Sequence, residues 1–120
     1  MAKSFEDERG LIQDLFEGPL DAVTRIFTVA GGVRGNHIHR ETHQWTYVWS
    51  GSMLTVLEDD AGQRHEDTRY PGDLVHEPPG MAHAWRALED TWVLVFTCGP
   101  RSGENYESDV QRLAPEDHLL

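Results

Sequence analysis

The feature that most limits how this chain can fold is its punctuation. Turns bearing glycine and proline cut it into short runs, and none carries a long apolar stripe of helical period. Residues 22–29, Ala-Val-Thr-Arg-Ile-Phe-Thr-Val, are rich in β-branched side chains and run up to Gly31-Gly32, as a strand closed by a turn does. Residues 45–49 and 53–57 flank Ser50-Gly51-Ser52, where glycine permits the tight reversal that joins antiparallel strands. Asp59-Asp60-Ala61-Gly62 makes the next turn and leads into a polar strand over 64–69. Pro71-Gly72-Asp73 opens a strand over 74–77, Pro78-Pro79-Gly80 interrupts the ladder, and strands over 82–87 and 92–98 complete the set. Short strands at such regular spacing fold as a sandwich or barrel, so the expected class is all-β with little helix. A turn is expected over 13–16 and a short helix over 106–113.

A chain of 120 residues fits one domain. Its bounds are placed at 1–113, with 114–120 as a loose C-terminal tail in which His118 is solvated. Ten Lys plus Arg stand against 21 Asp plus Glu, a formal charge of -11, which opposes nucleic acid or an anionic membrane as partner. Cys98 is the sole cysteine, which excludes an internal disulfide and fits a reducing compartment; a lone cysteine is usually a small buried hydrophobe. No apolar run reaches the roughly 18 residues of a membrane span, and Met1-Ala2-Lys3-Ser4-Phe5 has no signal-peptide core. The expectation is a cytoplasmic protein acting on a small molecule.

Two blocks carry the chemistry. The first holds His37-Ile38-His39 and then Gln44; the second ends at His83, just after the Pro78-Pro79-Gly80 corner. Alternation in an extended segment points His37 and His39 to one side, so both imidazoles can reach one ion or one substrate. Imidazole is a common ligand for zinc, copper, nickel and iron, and it also carries protons near neutral pH. The bland alternative is a set of hydrogen-bonded core histidines. Gln44 is taken as the inward residue in preference to His43, which puts Trp45, Tyr47 and Trp49 on the opposite face. Those outward aromatics suggest a homodimer through that sheet, unless the N-terminal segment covers them. His76 and Trp85 are expected to line the cavity, His65 to be exposed, and residues 99–106 to form a loop that can cover the mouth.

Both blocks resemble the motifs of the cupin family. The first cupin motif is a glycine, a His-x-His pair, a carboxylate and a glycine; the second is a glycine, Pro-x-Gly and a histidine. His37, His39 and His83 fall in the three histidine slots, and Gly31, Gly51, Gly72, Pro78 and Gly80 fill the structural positions. Gln44 stands where the family usually has glutamate, and Ala87 where it often has asparagine. The resemblance implies a jelly-roll β-barrel in which His37, His39, Gln44 and His83 hold a divalent ion (Fe, Zn, Mn or Ni), with no organic cofactor. Glutamine offers an amide oxygen but no charge.

A second likeness rests on Arg34-Gly35-Asn36-His37-Ile38-His39 with Gln44 and Ser50-Gly51. It is similar to the WxcM-like sugar-nucleotide ketoisomerases, and Asp7-Glu8-Arg9-Gly10 looks like the early Asp-x-Arg-Gly of the dTDP-4-dehydrorhamnose epimerases. The capsular-polysaccharide epimerases have a similar Arg-Gly-Asn-His-x-His string and bind metal. These likenesses imply that His37 and His39 are the acid/base pair and that Arg34 stabilises the enolate formed beside a carbonyl. Arg9 and Arg25 are candidates to contact a nucleotide diphosphate. Three readings follow: a keto-sugar isomerase or epimerase, a metal-dependent dioxygenase of the non-haem iron type, and a binding module without turnover. The acidity of the chain counts against a nucleotide diphosphate.

Overall fold

The computed structural model describes residues 3–100 and 103–120. Its strands are β1 (Lys3–Asp7), β2 (Gly10–Asp14), β3 (Ala22–Thr28), β4 (Val33–His39), β5 (His43–Ser50), β6 (Met53–Glu58), β7 (Arg64–Arg69), β8 (Leu74–Glu77), β9 (Ala82–Ala87), β10 (Thr91–Cys98) and β11 (Val110–Arg112), with a short helix α1 (Gly103–Asp109) before β11. The strands expected over 64–69, 74–77 and 82–87 are found with those bounds. One antiparallel sheet has the order β3-β10-β5-β8 and the other β11-β4-β9-β6-β7. Strand pairing does not join the two into one closed barrel among the described residues.

Alternation explains how the sheets face each other. Val48 on β5 and Val93 and Val95 on β10 point inward, as do Met53 on β6 and Trp85 and Ala87 on β9, and they form one buried cluster between the layers. This is the jelly-roll arrangement expected from the sequence. Gly51 turns β5 into β6 at φ +94°, and a Cβ there would lie 2.5 Å from the Asp90 carbonyl oxygen, so only glycine fits the corner.

The opposite face of the five-stranded sheet is also apolar, because Val56, Ala82 and Ala84 alternate outward. Leu119 covers them, together with Ile38, Leu113 and Leu120. Residues 114–120 are therefore not the loose tail expected: Leu119 is buried, and the Leu119 N–H donates to Asn36 Oδ1 at 2.7 Å. His118 is exposed, as expected.

Two other expectations are corrected. The segment read as a helix over 106–113 is α1 followed by β11, which pairs with the edge of β4. The turn over 13–16 gives way to β2, which pairs with β1 in a separate hairpin. That hairpin has few apolar residues and no apolar/polar alternation, with Leu11 and Ile12 adjacent, so its sequence signal is weak. The segment that follows it packs over β5, with Phe16 4.5 Å from Trp45 between ring centroids, and β2 reaches the same face, where the Tyr47 hydroxyl donates to Gln13 Oε1 at 2.7 Å. Trp49 stays exposed. No helix among the described residues is long and apolar enough to cross a membrane.

Candidate functional site

The histidines meet because of strand register. His37 on β4 lies directly opposite His83 on β9, and His39 follows two residues along β4. The register slips between Gly35 and His37, leaving Asn36 as a bulge residue at φ +57°. Gly35 makes that bulge possible: its φ is +91°, and a Cβ would come within 2.7 Å of the His83 carbonyl oxygen. Ring centroids stand 4.6 Å apart for His37 and His83, 4.8 Å for His37 and His39, and 5.5 Å for His39 and His83. One ring nitrogen from each lies within 4.8 Å of the others.

These rings border a cavity of about 330 Å³ between the sheets, which Gln44, Arg34, Ile26, Trp85 and Tyr106 also line. Trp85 is thus where the sequence put it. His76 is not: it points outward on β8, stacked on Trp45 at 4.8 Å and beside His43, because Val75 and Glu77 take the inward positions. His65 is exposed. The Arg34 guanidinium donates to Thr28 Oγ1 at 2.8 Å and to the Phe27 carbonyl at 3.0 Å, which pins it to β3 at the cavity wall. Arg9 pairs with Asp7 at the hairpin tip, and Arg25 stacks over Trp92 at 4.7 Å on the outer face. Neither lines the cavity, because β3 alternation turns Thr24 and Ile26 inward and Arg25 out. Of the expected mouth-covering loop, residues 101 and 102 lie outside the described residues, while Tyr106 on α1 reaches the cavity. A wider cleft of about 810 Å³ separates the 14–19 segment from the outer face of β5 and β8, and it holds none of the three converging histidines.

Two buried carboxylates back this cluster, and the sequence reading missed both. Asp109, at the end of α1, accepts from Thr42 Oγ1 at 2.7 Å, from the Glu41 N–H at 2.6 Å and from the Thr42 N–H at 3.2 Å. It also lies 2.9 Å from His39 Nδ1. Burial pushes the Asp109 carboxyl up, but the hydrogen bonds from Thr42, Glu41 and His39 together hold it below its ordinary value. An ionised carboxylate only accepts, so His39 Nδ1 carries the proton and Nε2 is its available lone pair. No sequence signal marked Asp109, whose partner lies 70 residues away along the chain.

The second carboxylate is Glu77. It lies opposite Gln44 across β5 and β8, accepts from Thr46 Oγ1 at 2.6 Å and from the Gln44 amide nitrogen, and is buried. Burial pushes it up to about 7, partly offset by the hydrogen bonds from Thr46 and Gln44. Alternation could have found it, since an inward Val75 makes Glu77 inward too.

His83 and His37 are held neutral. Burial, then the neighbouring histidines, push His83 down to about 3; burial, His39 and Arg112 push His37 down to about 4. His83 Nδ1 faces the Met81 carbonyl at 3.4 Å, which leaves Nε2 buried with no hydrogen-bond partner and 3.6 Å from Glu77 Oε2. An orphaned imidazole lone pair beside a carboxylate, with two further imidazoles converging, fits a cation.

The profile described as Cupin matches residues 17–115. The chain belongs to the cupin family. Among curated relatives of this cupin, an oxalate decarboxylase of Arthroderma benhamiae is 35% identical over 80 residues, covering 67% of this chain and 19% of the relative. The oxalate decarboxylase OxdC of Bacillus subtilis is 35% identical over 71 residues, covering 58% of this chain and 18% of the relative. The chain thus spans about a fifth of the length of the curated relatives it matches. Among solved structures, a dTDP-4-dehydrorhamnose 3,5-epimerase from Sulfolobus tokodaii superposes with a TM-score of 0.78 at 22% identity, covering 95% of this chain and 74% of the other. A sugar 3,4-ketoisomerase from Thermoanaerobacterium thermosaccharolyticum in complex with TDP gives a TM-score of 0.78 at 19% identity, covering 97% and 87%. At these identities the likeness is one of fold.

Proposed function

We propose that this cupin isomerises or epimerises a small keto-sugar, carried on a nucleotide, by proton transfer next to the carbonyl. The observation that carries the proposal is the buried His39–Asp109 pair, 2.9 Å apart. Its geometry supports a base: Asp109 fixes the tautomer, and His39 Nε2 takes a proton from the carbon beside the carbonyl and exchanges it with solvent. In an isomerisation a proton returns from this nitrogen to the former carbonyl carbon while the neighbouring hydroxyl proton passes to the carbonyl oxygen. In an epimerisation a second group returns a proton to the same carbon from the opposite face. His37, held neutral, is the second proton carrier. Arg34 at the wall offers donors to the enolate oxygen. A cavity of about 330 Å³ sits at the small end of ligand pockets, enough for the reacting ring with the nucleotide outside. The epimerase and ketoisomerase with the same fold support this substrate class.

The test is solvent exchange. Incubated in deuterated water with a dTDP-4-keto-6-deoxyhexose, the protein is expected to place deuterium at the carbon next to the carbonyl, read by NMR. Asp109→Asn is expected to slow the exchange by about 10²- to 10⁴-fold, the usual worth of a positioned base. No exchange by the wild-type protein sinks the proposal.

One observation favours a second reading, a metal-dependent enzyme: the partnerless Nε2 of His83. His37, His39 and His83, with Gln44 beside them, would hold a divalent ion (Fe, Zn, Mn or Ni). Such an ion, when bound, polarises a carbonyl oxygen as a Lewis acid. Oxygen uptake measured with an electrode separates a dioxygenase from an isomerase, since only the former consumes oxygen.

A further inference from the structure

We infer that Gln44 and Glu77 act as one unit toward a divalent cation at the three histidines, the amide giving the oxygen and the carboxylate behind it giving the negative charge. This rests on the metal-dependent reading above. Three neutral imidazoles and an amide bring no charge to a divalent ion. The carboxylates in contact with those groups are Asp109 behind His39 and Glu77 behind Gln44.

Register makes the second contact a designed one. Gln44 and Glu77 are direct cross-strand partners with both side chains turned inward. Glu77 Oε1 is anchored by the Thr46 hydroxyl, so the carboxylate holds its orientation, and Oε2 accepts from Gln44 Nε2. A carboxylate cannot accept from an amide oxygen, so the bond sets which end of Gln44 faces the cavity: Nε2 goes to Glu77, and Oε1 is left for the ion. With Glu77 absent, the amide is free to flip and present its NH2 group, which repels a cation. Glu77 Oε2 also lies 3.6 Å from the partnerless His83 Nε2. Two acceptor lone pairs that close, both buried, are the arrangement that a positive charge resolves.

The same contact explains why position 44 is not a glutamate. A carboxylate at 44 would lie within hydrogen-bond distance of Glu77, where two like charges cannot both stay ionised. The charge has moved one strand back, and the amide relays it. Glu77 is therefore a positioning residue for Gln44, and moving the charge forward again should preserve cation binding.

The experiment is Co²⁺ titration of the stripped full chain, followed by visible absorption and by calorimetry, with circular dichroism to confirm folding. The wild-type protein is expected to bind one Co²⁺. Glu77→Gln is expected to weaken binding about 10- to 100-fold, the usual effect of removing a group that orients a ligand. The swap Gln44→Glu with Glu77→Gln is expected to recover most of that loss. Wild-type affinity in Glu77→Gln would overturn the inference and leave the metal-dependent reading standing, as would a swap variant that binds as weakly as Glu77→Gln while remaining folded. A wild-type protein that binds no Co²⁺ would overturn both.

Discussion

Asp109 has no proton to give, and that decides what His39 can do. In Asp109→Asn the oxygen that accepts the Glu41 and Thr42 N–H groups has to stay, which turns the new NH2 toward His39 Nδ1. Nδ1 then becomes an acceptor and the proton moves to Nε2, so the lone pair leaves the cavity. The expected readout is a swap of the two His39 ring nitrogens in ¹⁵N NMR, with the fold retained; unchanged shifts would remove the basis for His39 as base. Glu77 gives the second prediction at this scale. Its folded carboxyl titrates near 7 against an ordinary 4.5, so the folded state holds the proton longer. Its stabilising contribution is full below pH 4.5 and is lost as pH rises to about 7. His37 and His83 have the opposite sign: with folded values near 4 and 3, they cost stability as pH falls below 6.5. Metal-free protein should therefore be most stable near pH 6.5. Glu77→Gln should stabilise it at pH 8 by about 3 kcal/mol, and leave it unchanged at pH 4, in urea unfolding with chelator present. Stabilisation of the empty protein together with weakened Co²⁺ binding is the signature of a group kept for the site at the expense of the fold.

At the scale of elements, the bulge in β4 is held from outside the cavity. Asn36 donates from Nδ2 to the Leu120 carbonyl at 3.2 Å and accepts at Oδ1 from the Leu119 and Leu120 N–H groups, so the C-terminal segment clamps the residue beside His37. Asn36→Gly keeps the positive φ and removes the clamp; a cost of about 1–3 kcal/mol in urea unfolding is expected from losing buried hydrogen bonds. Asn36→Ala adds the strain of a left-handed alanine and should cost about 1 kcal/mol more. Equal stabilities for the two would mean that the backbone conformation at 36 is not under strain. The clamp also shows what a sequence discloses. β7, β8 and β9 were legible because turns bearing proline and glycine set them off, with the side chains alternating along β8, and the convergence of His37, His39 and His83 follows from two motifs at fixed spacing. Glu77 was legible in principle by the same alternation. Asp109, Asn36 and Leu119 were not, since each acts through a partner at least 67 residues distant, and no local pattern encodes such a pairing. The N-terminal hairpin was hidden for another reason: its strands carry only three large apolar side chains, Phe5, Leu11 and Ile12, and only the Arg9-Gly10 turn punctuates them.

On the scale of the whole molecule, that hairpin poses a question of stability. β1 and β2 pair with each other and with no other described strand, and an isolated two-stranded ribbon is marginal in water. Gln13 ties it to Tyr47, but Phe5 and Ile12, which are cross-strand partners and so share a face, are 58% and 65% exposed. Trp49, at the far end of β5, is 54% exposed and lies on the outer face of the same sheet. Exposed apolar groups on a protruding ribbon and on an outer sheet face are what a pairing of two copies would bury. We therefore expect a homodimer in solution, with the hairpin of each copy packed on the outer four-stranded sheet of the other. Light scattering after size exclusion should give twice the chain mass, and Phe5→Ser with Ile12→Ser should give a monomer that keeps its β-sheet circular dichroism. Charge adds a condition: with a net charge of -11 on each chain, like-charge repulsion opposes association, so the dimer should tighten as salt rises from low to physiological ionic strength. A wild-type monomer at both salt concentrations would show that the hairpin is stable on its own contacts, and a dimer that survives the double substitution would place the interface elsewhere.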